Sequence, residues 1–318
     1  MKRYDIHGCL VVETNMARVE IPEELRTEEP VGPDIRILEG ELDIESGPLR
    51  PLGLRLFVGD GVLVHKCLSY GDLRLIIKDL PGRRGPTEIM FNRAYRFFRE
   101  LAMGKSIWHF LKLVIMTRLV AAGLTFVHSS GVATGGRAFL FTGWSDVGKT
   151  ATAIGLVRAG GGEVAYMAGD ITVVGRGGAV FGWPIVPRRM VARPFEKIPL
   201  LRNIIIRGEP LLPPEARKEL RAKISHIFFL SPGPRGKPRE LDEEAALKKL
   251  VLATDMSFNF ASDLLLLAYS YADPSFDILS LREEHIGILR ELVSRAECVE
   301  LRAPGPRGFI EQARPFLG

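Results

Sequence analysis

The chain has 318 residues and a formal net charge of +5, with 46% of its residues hydrophobic and 25% charged. That balance is the one of a globular protein with a sizeable core, long enough for one large domain or two of ordinary size, and it excludes disordered and collagen-like chains. The positive charge sits largely on Arg in Gly/Pro-rich turns at 81–86, 187–189, 232–239 and 304–308. No aromatic residues interleave these turns, so they read as solvated loops and argue against a nucleic-acid partner.

The 3 cysteines, Cys9, Cys67 and Cys298, are far apart and form no C-x-x-C pair. They suggest neither a disulfide framework nor a zinc site, and they fit a reducing interior. Met1-Lys2-Arg3-Tyr4-Asp5 leads into strand-like sequence rather than an apolar leader, which points to a cytoplasmic protein. The most apolar window, 107–127, contains His109, Lys112 and Arg118, and so predicts a buried amphipathic helix rather than a membrane span. Sparse Asn and Gln beside abundant Arg and Pro-rich loops match a heat-adapted, thermophile source.

In chain order, residues up to about Leu80 are β-rich. Strand composition occurs at 8–13, 54–58, 61–65 and 73–77, the last two placed around a Gly71-Asp72 turn. They predict a small antiparallel N-terminal domain over 1–80, in which His7 and His65 are packed or surface residues. The run 81–86 is a boundary. A helical bridge is expected over 81–122, with one helix from Thr87 to Met103, a break at Gly104, and a second helix capped by Ser106. Beyond it, 124–133 and 137–142 read as a hairpin, 163–168 as a strand ending at Gly169-Asp170, 171–174 as its extended continuation, and 179–184 as the strand that pairs back after a turn at 175–178. Residues 224–230 form a buried strand, followed by helices at 242–253, 258–272 and 282–296 and a closing strand at 298–302. Strands mixed with helices make the fold α/β.

Gly143-Trp144-Ser145-Asp146-Val147-Gly148-Lys149-Thr150 fits G-x-x-x-x-G-K-[ST], set between a strand and a helix that begins near Ala151. In that setting the loop amides and the helix N-terminus cradle phosphates, and Lys149 reaches the β and γ oxygens. Thr150 supplies the hydroxyl that helps hold Mg²⁺. Asp170 lies at a strand end about twenty residues on, where it either holds the metal or caps its own turn. His128 is either a packed strand-end residue or part of the site, and Arg188 and Arg189 are either exposed or a phosphate clamp.

The order His128-Ser129-Ser130, Gly143 to Thr150, Gly160-Gly161 and Gly169-Asp170 resembles the HPr kinase/phosphorylase catalytic domain and its kinase-like relatives, and more distantly the ATP-dependent phosphoenolpyruvate carboxykinases. Gly182-Trp183-Pro184 with the following Arg pair, and the opening Tyr4-Asp5-Ile6-His7-Gly8, extend the likeness. The resemblance implies a P-loop nucleotide domain with a mixed sheet over 123–318. It implies ATP and Mg²⁺ as cofactors, transfer to a hydroxyl of a protein, peptide or small molecule, and a homo-oligomer as one possible assembly. It places Lys149, Asp170 and His128 in the chemistry, 143–151 including Ala151 on the nucleotide, and Thr150 and Asp170 on the metal. Two positions depart from the pattern. The family's first Asp, the proton acceptor, is Gly169 here, and Asp146 stands where the bacterial kinases have Gly. Loss of a base removes about 10²- to 10⁴-fold of rate, so the alternative is a nucleotide-binding regulatory module or slow ATPase that has lost phosphotransfer.

Overall fold

The computed structural model describes residues 1–42, 48–67, 73–102, 106–187 and 211–318. The Gly71-Asp72 turn, the break at Gly104 and the pair Arg188 and Arg189 lie outside the described residues. The chain forms two compact units. One gathers 1–122 and 260–282; the other gathers 123–187, 211–259 and 283–318.

The first unit is built on an eight-stranded sheet. Its strands are β1 (Lys2–Ile6), β2 (Leu10–Thr14), β3 (Ile35–Glu39), β4 (Arg50–Pro51), β5 (Leu56–Gly59), β6 (Val62–Cys67), β7 (Leu73–Lys78) and β8 (Thr87–Phe91). They lie in the order β1-β2-β3-β8-β7-β6-β5-β4. The sheet is mixed rather than antiparallel, because β3 pairs in parallel with both β2 and β8. The residues expected to begin a helix at Thr87 are instead β8, buried at every second position, Thr87, Ile89 and Phe91. That period-2 burial overrides the helical stripe, and α1 (Arg93–Ala102) starts only beyond it. Since β8 pairs with β3 and β7, the Gly/Pro run at 81–86 is a turn inside one sheet and not a divide. In α2 (Ile107–Ala121) the Ser106 hydroxyl caps the first turn, accepting from the Trp108 N–H at 3.1 Å. This helix is not amphipathic: Ile107, Trp108, Phe110, Leu111, Leu113 and Val114 are all buried, so every face meets core.

The second unit starts with a hairpin of β9 (Leu124–Thr134) and β10 (Arg137–Thr142), followed by α3 (Lys149–Ala159). The far edge of β9 carries β11 (Ala165–Ala168) and β12 (Ile171–Gly175), which together form one antiparallel partner interrupted at Gly169-Asp170. Next come β13 (Ala179–Phe181), β14 (Arg221–Pro232), β15 (Arg239–Glu240) and α4 (Glu243–Phe258). Because β14 pairs with β13 on one side and in parallel with β10 on the other, the ladder β10-β9-β12-β13-β14 closes on itself. The chain then returns to the first unit as α5 (Leu264–Ala272), capped by Asp263. A single helix over 258–272 does not form, because a short 3₁₀ turn at Phe260–Ser262 and the Asp263 cap separate α5 from α4. After α6 (Ile278–Ser294), β16 (Glu297–Ala303) joins β14 in parallel, and α7 (Pro306–Ala313) follows.

Alternation along the strands sends side chains to two helical layers of the second unit. Phe139, Phe141, Phe228 and Leu230 pack with Ala153, Ile154 and Val157 of α3 and with Phe309 of α7. Ala138, Leu140, Ile227 and Phe229 pack with Ala246 and Leu250 of α4 and with Leu289 and Leu292 of α6. The protein is therefore a mixed α/β structure with two mixed sheets. Among the described residues no helix is long and apolar enough to cross a membrane.

Candidate functional site

The turn from β10 into α3 is shaped by backbone that only particular residues tolerate. Gly148 caps α3 at φ 99°, and a Cβ there would stand 2.7 Å from Cγ of Pro306 at the start of α7. A side chain is thus excluded on two grounds, conformation and space. Gly155 of α3 likewise sits against Ile310 of α7. The two helices run side by side in the same sense, with their N-termini together.

Lys149 is the first residue of α3 and is 6% exposed. Its Nζ donates to the carbonyls of Gly143 at 3.1 Å and Trp144 at 2.9 Å, so the ammonium lies folded over the loop. Burial lowers its pKa, opposed by the carboxylates of Asp170 and Asp146. Val147 turns into the core beneath the loop, whereas Trp144, Ser145, Asp146 and Ala151 are exposed.

The interruption between β11 and β12 meets this loop. The Thr150 hydroxyl donates to the Gly169 carbonyl at 2.5 Å, and the Ser130 hydroxyl donates to the same oxygen at 2.5 Å. Ser130 Oγ also lies 3.3 Å from Thr150 Oγ1. One residue on, the Asp170 carboxylate is solvent-facing and its Oδ1 is 3.4 Å from Nε2 of the buried His128. Burial, reinforced by the Lys149 ammonium and resisted by Asp170, holds the His128 pKa down to about 4. The ring is neutral at physiological pH. A neutral imidazole meets a carboxylate through its N–H, so Nε2 carries the proton and Nδ1 the lone pair. Nδ1 is buried and has no hydrogen-bond partner among the described residues.

His128, Lys149, Thr150 and Asp170 are thus neighbours, although they come from a strand, a helix start and a strand interruption. Ser130 was not singled out from the sequence. Its signal was period 2: on β9 it faces the same side as His128. Tyr166 was also missed. A Cβ on Gly169 would lie 2.5 Å from the Tyr166 hydroxyl and 3.2 Å from the Ile185 carbonyl. That hydroxyl donates to the Ile185 carbonyl at 3.2 Å, and burial, with Asp170 nearby, raises its pKa, so it is a neutral donor. The space beside Asp170 that a longer residue 169 would occupy is filled by a phenol.

The donor set suits a hard cation with few protein ligands. No group of three or more His, Cys, Asp or Glu side chains is placed for a metal among the described residues. A hydroxyl and one exposed carboxylate beside a glycine-containing turn at a helix start fit the demands of Mg²⁺, which keeps several waters and takes few protein ligands. A cleft of about 400 Å³ bordered by Thr134, Leu156, Gly161 and Leu317 lies at the opposite end of α3 and shares no residue with the loop.

No family model and no curated protein matches this chain. Among solved structures, the Hpr(Ser) kinase/phosphatase from Coxiella burnetii is similar over 37% of this chain and 71% of that chain, with 10% identity and a TM-score of 0.23.

Proposed function

We propose that the second unit binds a nucleoside triphosphate, ATP in the first instance, with Mg²⁺ and transfers the terminal phosphoryl group to a hydroxyl acceptor. The observation that supports this most is the meeting of Thr150 with the Gly169 carbonyl, next to an Asp170 carboxylate that faces His128 and the Lys149 ammonium. The amides of 145–150 and the α3 N-terminus would hold the phosphates, with Lys149 swinging from the Gly143 and Trp144 carbonyls onto the β and γ oxygens. Thr150 and Asp170 would hold Mg²⁺, which when bound neutralises phosphate charge. Transfer forms a bond from the acceptor oxygen to the γ-phosphorus and breaks the bond to the β-phosphate. The electron pair leaves on the diphosphate, and the hydroxyl proton passes to water. Catalysis here is positioning and charge neutralisation, so it does not require a base at residue 169. His128 keeps its N–H on Asp170 and so orients that carboxylate.

A second reading, nucleotide binding with slow hydrolysis or none, is favoured by one observation: Tyr166 fills the space where a base at residue 169 would stand. The two readings separate on incubation with γ-labelled ATP, Mg²⁺ and candidate acceptors. Transfer gives labelled product, and the regulatory reading gives nucleotide binding with at most labelled phosphate. Both require Lys149→Ala to weaken nucleotide binding by at least tenfold. They also require the rise in Tm that ATP gives the wild type, about 2.7 kcal/mol of stabilisation at a hundred times Kd, to fall in the variant to about half that or less. Unchanged affinity in Lys149→Ala would sink both.

A further inference from the structure

Ser130 is a buried hydroxyl at the site to which the phosphotransfer reading gives no task. Antiparallel pairing along β9 sets Ala168 across from Gly131 and Ile171 across from His128, so Gly169 falls opposite Ser130 where the ladder breaks. At that break the Gly169 carbonyl accepts from two side-chain hydroxyls, Ser130 and Thr150, each at 2.5 Å. The next residue on β9, Ser129, is equally buried but turns the other way, its hydroxyl donating to Thr172 Oγ1 at 2.9 Å.

Proton counting gives this arrangement a direction. Each hydroxyl has a single proton to give, and a carbonyl oxygen has a pair of lone pairs to receive them. The hydroxyl oxygens of Ser130 and Thr150 stand 3.3 Å apart, farther than either is from the carbonyl, so both protons go to the Gly169 oxygen. The Thr150 proton is then committed, and what its oxygen has left for a cation is lone pairs. With Ser130 on its other lone pair, the carbonyl is fixed from both sides. The peptide plane that it shares with the nitrogen of Asp170 is fixed with it. Gly169 has no side chain of its own to do this.

We propose that Ser130 is a positioning residue for the metal: through the Gly169 carbonyl it sets the Thr150 hydroxyl and the Asp170 backbone for cation binding. This rests on the reading in which Thr150 and Asp170 hold Mg²⁺, and it requires no phosphoryl transfer. Ser130 itself touches neither metal nor nucleotide. It acts as an outer-shell partner, and a ligand already held in place loses less freedom when the cation arrives.

The test is the ATP affinity of the full chain by calorimetry, in EDTA and in excess Mg²⁺, read as the ratio of the Kd in EDTA to the Kd in Mg²⁺. Wild type should bind ATP more tightly with Mg²⁺. Ser130→Ala should lower the ratio by about tenfold, or to unity where the wild-type gain is smaller, and leave the Kd in EDTA unchanged. Ser130→Thr, which keeps the hydroxyl, should restore the ratio. Ser129→Ala, which removes the equally buried hydroxyl on Thr172, should leave it as in wild type. Should Ser130→Ala not fold, Ser130→Cys, close to serine in size and only a weak donor, gives the same reading. A Ser130→Ala variant with a lowered Tm and the wild-type ratio overturns the inference and leaves Mg²⁺ binding standing, since Ser130 then only satisfies a buried carbonyl. A wild-type chain that binds ATP equally with and without Mg²⁺ overturns the metal reading, and this inference with it. So does one that binds no ATP.

Discussion

Gly169 shows how one position can be decided by a neighbour three residues away. Its missing side chain reads in the sequence as a lost base. In the fold it is a packing requirement, since Tyr166 is fully buried with its hydroxyl 2.5 Å from where a Cβ would stand. Gly169→Ala is expected to destabilise the protein by about 1–3 kcal/mol through overpacking. Adding Tyr166→Phe should recover part of that loss, because the two substitutions share one space. Urea unfolding of both single variants and the double variant measures this, and a neutral Gly169→Ala would show that the phenol gives way. His128 was open at the level of sequence between packing and site. In the fold it is a buried ring with one edge 3.4 Å from the exposed Asp170 carboxylate.

Among elements, the pair β11 and β12 is informative because one strand does two jobs. It continues the ladder along β9, and at its interruption it turns a carbonyl and a carboxylate toward the start of α3. The α7 helix was not anticipated. Its eight residues are too few for a periodic signal to rise above the Gly/Pro turn before them. Yet Pro306 adds a second bar, of space, to the conformational one that keeps residue 148 a glycine. On β16, Glu300 joins three other elements: Ser231 of β14 at 3.0 Å, Arg239 of β15 at 2.7 Å and Lys249 of α4 at 2.9 Å. Burial alone would raise its pKa, but these donors outweigh it and hold the carboxyl near about 2 instead of 4.5. A carboxylate with a depressed folded pKa stabilises above its unfolded value, and the contribution fades as pH falls from about 4.5 toward 2. After allowance for the exposed partners, it is worth about 1–3 kcal/mol. Glu300→Gln should therefore lose that amount at pH 7 and little at pH 2.5, as read by denaturant unfolding at the two pH values.

On the scale of the whole molecule, neither unit is a continuous stretch of chain. Residues 260–282 belong with 1–122. Within that first unit the Tyr269 hydroxyl accepts from the Leu80 N–H at 3.1 Å and donates to the Gly61 carbonyl at 3.0 Å. Tyr269→Phe leaves both backbone groups without that partner and is expected to cost about 1–3 kcal/mol. The same loss explains the expectation that a fragment ending at Ala122 is far less stable than the first unit in the full chain. Circular dichroism melts of the variant and the fragment check both, and an equally stable fragment would mean that α5 adds nothing to this unit.

The local features were legible because their causes are local. The phosphate-loop motif needs only its own glycines and the adjoining strand and helix. The Ser106 cap, the β9–β10 hairpin and the buried strand at 224–230 follow from short-range pattern. The reading failed at Thr87–Phe91, where a helical stripe and a strand alternation coexist and only pairing with β3 and β7 chose between them. It failed again at 258–272, where a cap split one apolar run. Tertiary structure alone brought His128, Ser130, Thr150 and Asp170 together and set Tyr166 against Gly169. Those contacts join residues separated by many positions in the chain, and their geometry comes from strand register and packing, which no local pattern encodes.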